Sequence, residues 1–419
     1  MEKFIFITIL VIVILDFMLE RFLDYLNSRR FSEELPGELA GIYDQENYSK
    51  SQKYLKANQR FSQVTESFNF ILVIGMLAFG GFAFLDEIVR RFTQDPILMT
   101  LLFFGIIGFI ADVLGTPFSI YSTFVIEERF GFNKTTVRTF ILDKLKGWLL
   151  GIVIGGGLMA LVVWIYTISG HWFWLIAWGV ITLFTVFMSL FYSNLIVPLF
   201  NKQTPLEAGE LRDAIQDFSS RTGFRLKDIY LIDGSKRSTK ANAYFTGLGR
   251  KKRIVLYDTL VSQHTTEELV AVLAHEVGHY KKKHSIIGMV LSILQTGLML
   301  YILSRFLGSP VLSAALGAEQ PSFHISLVAF GILYTPLSMV LGLVMNIISR
   351  KHEFAADEFA GTNYRSESLQ EALIKLSVHN LSNLRPHPAY VFFYYSHPPL
   401  LQRLNALKLL QIPPANDPQ

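Results

Sequence analysis

Of 419 residues, 51% are hydrophobic and only 17% charged, with 35 phenylalanines, a balance that excludes an ordinary soluble chain and points to repeated membrane crossing. The absence of cysteine removes disulfides, thiolate metal ligands, a cysteine nucleophile and lipid attachment through cysteine, so a bound metal must rest on histidines and carboxylates. The net charge of +4 is accounted for by basic membrane loops and makes no case for nucleic acid.

Apolar stretches of spanning length occupy residues 4–26, 64–85, 97–125, 147–168, 172–198, 284–307 and 325–349, judged against the roughly 20 residues a spanning helix needs. The fold expected is an α-helical membrane protein with seven transmembrane helices. The first stretch reads as a retained anchor, since its n-region is only Glu2-Lys3 and no small-residue cleavage site follows. Basic residues gather at 27–60 (Arg29, Arg30, Lys50, Lys53, Lys56, Arg60) and 126–146 (Arg129, Lys134, Arg138, Lys144, Lys146), while 169–171 and 308–323 carry none. That alternation puts the N-terminus outside and the C-terminus in the cytoplasm. The tail shows no lysine-based retrieval signal, so a bacterial plasma membrane is expected in preference to the endoplasmic reticulum. Four parts follow: helices one to five with their loops over 1–198, a soluble segment over 199–283, helices six and seven over 284–349, and a cytoplasmic segment over 350–419.

Within 199–283, the runs 228–233, 242–246 and 253–257 are short, β-rich and separated by glycine and charge, as in a small sheet. Thr265 with Glu268 predicts a capping box and a helix start. That helix carries His275-Glu276-x-x-His279, which places two imidazoles at i and i+4 on one face, ready for one zinc ion, with a glutamate as general base. A catalytic zinc needs a third protein ligand. His284 does not fit the three-histidine spacing and reads as an interfacial residue beside Lys281, Lys282 and Lys283. Glu353 and Asp357, at i and i+4 beyond the last span, suit a third ligand and an acid that orients a ligand imidazole, the alternative being a solvated acidic helix face.

Asn242 and Ala243 open a strand that could pair with an extended substrate or serve as an ordinary sheet strand. His397 and Arg403 offer an imidazole and a guanidinium able to steady an oxyanion. Asp16, Glu20 and Asp24 form an acidic stripe on the first span, with Glu66 and Asp112 in later ones; such groups face either water or buried cations.

Leu35 to Asp44, Tyr48 to Gln52, Asn242 to Gly247, the zinc motif, Glu353 to Asp357 and Ser396 to Leu400 together resemble the CAAX prenyl protease 1 family of zinc metallopeptidases over nearly the whole chain. The resemblance implies seven helices forming a hollow barrel around a water-filled chamber, with a small zincin-like α+β portion facing the cytoplasm. It implies one zinc per chain on His275, His279 and Glu353, with Glu276 as base and Asp357 behind the ligands. Asn242, His397 and Arg403 would hold substrate or transition state. The expected activity is endopeptidase cleavage after a lipidated cysteine, or a related membrane-proximal cut, with membrane lipid and a peptide or lipidated peptide as partners and no obligate protein partner. A heat-shock-type quality-control protease shares the zinc motif but not the long amino-terminal match. A seven-helix transporter or scaffold leaves the zinc residues unexplained.

Overall fold

The structure, a computed structural model, describes residues 1–224, 228–246 and 253–410. Residues 411–419, and Gly247 of the strand motif, lie outside the described residues.

Helix α1 (Glu2–Ser28) carries Asp16, Glu20, Arg21 and Asp24 in an otherwise apolar rod. Helix α2 (Gln45–Ala78) starts at Asp44, whose carboxylate accepts the Asn47 backbone N–H at 2.8 Å. It stops where Gly80 turns left-handed at φ 64°, and α3 (Gly81–Phe92) departs from there. The span expected at 64–85 therefore straddles a break. Its helix begins at Gln45 because the polar first half buries Tyr48, Ser51, Gln52 and Tyr54 instead of meeting lipid.

Asp95 caps α4 (Pro96–Tyr121), which continues as a π-helical turn, Ser122–Glu127. Helix α5 (Val137–Leu150) runs through a π segment into α6 (Gly157–Ser169). Gly170, at φ 52°, then reverses the chain into α7 (Phe173–Leu195) and the short α8 (Val197–Phe200). The apolar stretch Val137–Phe200 has 64 residues, about 96 Å if straight, but α6 packs back on α7 as a hairpin.

A mixed α/β segment follows: β1 (Gln203–Pro205), α9 (Glu210–Arg221), β2 (Asp228–Ile232), β3 (Ala243–Thr246), β4 (Arg253–Tyr257), α10 (Asp258–Val261) and α11 (Thr266–Lys281). Their sheet has the order β1-β2-β4-β3, with β2 and β4 parallel and both outer pairs antiparallel. Three strands fall on the expected runs; β1, three residues long, has no sequence signal. Helix α12 (His284–Phe306), α13 (Pro310–Ala315), α14 (Phe323–Asn363), α15 (Ser366–His379), α16 (Pro388–Tyr394) and α17 (Leu400–Leu409) complete the described chain.

Among the described residues, five helical stretches are long and apolar enough to cross a membrane: Gln45–Ala78, Pro96–Glu127, Val137–Phe200, His284–Phe306 and Phe323–Asn363. Only 6% to 17% of their apolar windows is buried in protein, so those faces require lipid or an internal space. The chain is a multi-pass integral membrane protein. Packing runs from α1 to α2, α3, α4, α6, α7, α12 and α14, and α14 returns to α1, so the order closes on itself.

Helix α14 is 41 residues long, about 61 Å, roughly twice a bilayer core. Its last third exceeds the length needed to span and delivers Glu353 and Asp357 to α11, α15 and α17. One core joins the sheet with α9, α11, α15 and α17 through Phe218, Ile254, Leu256, Leu273 and Leu407. A second, around Phe103, Phe173 and Ile325, closes the opposite end. There Asp86 accepts from Arg90 (2.7 Å), His324 (2.6 Å) and Ser322 (3.0 Å), clasping α3 to α14. Between the two cores, α14 has no buried residue over positions 331–352. Two adjoining cavities of about 320 and 270 Å³ share Asp16, Glu20 and Thr335 in their walls. The acidic stripe thus splits: Asp16 and Glu20 line open space, whereas Arg21 pairs with Asp24 and Glu66.

Candidate metal centre

The zinc-motif helix is fixed at its start. Glu268 N–H donates to Thr265 Oγ1 at 3.3 Å and Thr265 N–H to Glu268 Oε2 at 3.0 Å, the capping box read from sequence. Lys375 holds the other Glu268 oxygen and ties α11 to α15. Burial of Leu269, Val270, Leu273, Ala274 and Val277 sets the rotation of α11, and the i, i+4 spacing then stacks His275 and His279 on one stripe.

Gly278 sets the distance to α14. A Cβ there would lie 3.1 Å from each of Ala356 Cα, Ala356 O and Phe359 Cβ. Ala356 is itself small and fully buried, so the two backbones meet directly. Glu353 and Asp357 flank Ala356, and the crossing brings both carboxylates to the histidines.

His275 Nε2 and His279 Nε2 are 3.1 Å apart. Glu353 Oε2 is 3.6 Å from the first and Oε1 3.2 Å from the second. A tetrahedral zinc site with bonds of about 2.0–2.1 Å has ligand-to-ligand edges of about 3.3–3.4 Å, so the three side chains fit one such ion. Glu353 Oε2 is buried without a hydrogen bond, with Arg403 Nη1 3.5 Å away as an ion-pair partner, and a bound cation would take up its free lone pair. Burial works against protonation of His279, yet the hydrogen bond and charge of Glu353 outweigh it and hold the imidazole above its ordinary range. The field that attracts that proton also attracts a metal ion.

Behind the donors, His275 Nδ1 donates to Asp357 Oδ1 at 2.8 Å. Arg403 grips both Asp357 oxygens, Nη2 to Oδ1 at 2.6 Å and Nε to Oδ2 at 2.8 Å. Burial opposes the Arg403 charge, but Asp357 more than compensates and keeps the guanidinium ionised. His397 Nε2 reaches within 3.4 Å of Glu353 Oε1 while its side chain stays 65% exposed. Arg350 anchors the segment before it by donating to the Val391 and Tyr395 carbonyls. Glu276 is half-buried and makes no hydrogen bond or ion pair among the described residues.

Six expected site residues thus meet in one cluster: His275, His279, Glu353, Asp357, His397 and Arg403. Asn242 is exposed, with its Oδ1 accepting the Ala243 N–H and its carbonyl accepting the Tyr257 N–H. Among the described residues, no hydrogen bond links Asn242 or Ala243 to the cluster. Among the described strands, β3 pairs only with β4 and so stands at the end of the sheet. Sequence reading overlooked Gly278, although a glycine inside an amphipathic helix is itself a packing signal. His284 starts the membrane helix α12 as expected, but its ring is buried, with Nδ1 3.0 Å from His279 Nδ1.

A histidine–carboxylate cluster able to hold a metal ion beside a glutamate, its carboxylate carried on a membrane helix, fits the class of membrane metalloproteases. Relatives carry the assignment further. A family model for the five membrane helices of the CAAX prenyl protease N-terminal region matches residues 24–202, and that of peptidase family M48 matches 205–411. The chain is 38% identical to CAAX prenyl protease 1 homolog of Arabidopsis thaliana, over 89% of this chain and 90% of that one. It is 36% identical to CAAX prenyl protease 1 of Saccharomyces cerevisiae (94% and 93% covered) and 32% identical to the Homo sapiens homolog (98% and 96%). The crystal structure of S. mikatae Ste24p superposes with a TM-score of 0.91 at 34% identity, covering 97% of this chain and 99% of that one. The chain belongs to the CAAX prenyl protease 1 family of M48 peptidases, and is a membrane zinc metalloprotease. These relatives are eukaryotic, so the expected bacterial plasma membrane finds no support.

Proposed function

We propose that the chain binds one zinc ion through His275, His279 and Glu353 and removes C-terminal residues after a prenylated cysteine. The observation that carries the site is the convergence of two Nε2 atoms and a buried carboxylate oxygen without a hydrogen bond beside an uncommitted Glu276. Bound zinc supplies Lewis acidity toward a water and the scissile carbonyl. Glu276 takes the proton of the attacking water and hands it to the leaving amine. His397, exposed and next to Glu353, donates to the developing oxyanion through Nε2. The Nε/Nη2 edge of the Arg403 guanidinium is committed to Asp357, with Nη1 3.5 Å from Glu353 Oε2, so Arg403 holds Asp357, and through it His275, in place. Asn242 and Ala243 offer the outer edge of β3 to an extended peptide.

The same reading makes α1 and the α6–α7 hairpin complete seven crossings around a hollow barrel. About 33 Å of α14 lacks buried residues beside the Asp16 and Glu20 cavities, which supports a hydrated chamber. Residues 1–198 and 284–349 form the membrane part, and 199–283 with 350–419 form a zincin-like portion on the cytoplasmic side, the N-terminus lying opposite. The partners are peptide or lipidated peptide and membrane lipid. Incubation with a farnesylated CAAX peptide and its unprenylated twin, with products read by mass spectrometry, tests the substrate. Cleavage after the cysteine in the farnesylated peptide alone is expected; equal cleavage of both would remove the prenyl group from the account.

A further inference from the structure

The two ligand histidines are backed by different chemistry. His275 donates from Nδ1 to a carboxylate, Asp357. His279 presents Nε2 to His275 and Glu353, so its proton belongs on Nδ1, and the atom facing that nitrogen is Nδ1 of His284 at 3.0 Å. Two nitrogens at that separation share one proton. The His284 Nδ1 must therefore be the acceptor, with its own proton on Nε2.

The chain goes to some length to place that ring. Between α11 and α12, Lys283 takes the left-handed conformation at φ 59°, one of two non-glycine residues to do so among those described. A left-handed residue of this kind costs about 1–2 kcal/mol. The turn brings His284, the first residue of α12, back against His279, where it is buried. Its other face stacks on His352, with ring centroids 3.9 Å apart and planes inclined by 6°. His352 directly precedes Glu353, so the stack also connects α12 to the third donor.

We infer that His284 is a positioning residue that fixes His279 in the Nδ1–H form and aims its Nε2 at the metal. The inference rests on the proposed zinc site. A neutral imidazole acceptor leaves His279 a weaker donor than the carboxylate-backed His275, and adds no charge to a pocket that already holds Glu353 and Asp357.

The test is zinc affinity of the full chain in detergent, measured by chelator competition, for wild type, His284→Phe and His284→Asn. Phenylalanine keeps the ring and its stack on His352 but has no acceptor; the Asn Oδ1 falls near the position of Nδ1 and restores one. His284→Phe is expected to bind zinc about 10–100-fold more weakly, and His284→Asn to recover most of that loss. Thermal unfolding checks the fold of each variant, and His284→Ala replaces the phenylalanine variant if that one does not fold. Equal affinity in wild type and His284→Phe overturns the inference, as does an equal loss in folded His284→Phe and His284→Asn. Absence of zinc from the wild type would strike the proposed metal site itself.

Discussion

Replacing Gly278 by alanine probes how the two halves of the site are held at their distance. On a solvated helix the change stabilises by about 1 kcal/mol, because alanine is the better helix former. Here the new methyl would meet Ala356 Cα, Ala356 O and Phe359 Cβ at 3.1 Å, against roughly 3.5–4.0 Å for a relaxed carbon contact. Two of those atoms are backbone and cannot rotate away, so α11 and α14 must part by about half an ångström. Overpacking of this sort costs ~1–3 kcal/mol, more than the propensity gain. The histidines ride on one helix and Glu353 on the other, while metal–ligand distances tolerate only about 0.2 Å. The expected result is a lower melting temperature and zinc affinity reduced about 10–100-fold, with a larger effect for Gly278→Val. Chelator competition and thermal unfolding of the full chain read both quantities. A Gly278→Ala protein that melts higher and holds zinc as tightly as wild type refutes the reasoning.

Glu276→Gln should lower peptide cleavage by about 10²–10⁴-fold while zinc content, read by elemental analysis, stays unchanged. Arg403→Met strands the buried Asp357 carboxylate and should destabilise the protein by about 3–5 kcal/mol in denaturant titration, with zinc affinity falling alongside. Asp86→Ala does the same to Arg90 and His324 at the far end, so stability should drop by about 3–5 kcal/mol while zinc affinity stays at the wild-type value. The raised pKa of His279 means that the metal-free fold favours the protonated imidazole. That contribution is complete below the unfolded value near 6.5 and is lost as pH climbs through the raised one. Zinc must displace the same proton, so its affinity should decline on acidification from a pH above 6.5, as followed by chelator titration.

What the sequence made legible is local chemistry. His275, Glu276 and His279 share one helix turn, and Thr265 with Glu268 marks its start within the same window. Glu353 and Asp357 could be singled out because the expected topology puts this acidic i, i+4 pair on the same membrane side as the zinc-motif helix, which weighs against a merely solvated helix face. Tertiary distances were not legible. Gly278 matters only because Ala356 lies across from it, and the run Lys281 to Lys283 before His284 marks the start of a membrane helix without revealing that the left-handed Lys283 turns His284 back onto His279. The pattern of α2 misled for a related reason: hydropathy marks where lipid begins, while the helix starts earlier, where Tyr48 and Tyr54 find protein. Arg403 shows the limit at the level of a single role, since only its two bonds to Asp357 reveal which neighbour claims the guanidinium.

The central claim is that one metal ion is held between α11 and α14, and zinc stoichiometry of purified wild type and Glu353→Ala, measured by elemental analysis, tests it most directly. The account predicts about one zinc per wild-type chain and little in the variant, because a catalytic zinc needs three protein ligands. Full zinc occupancy and unchanged affinity in Glu353→Ala would contradict it.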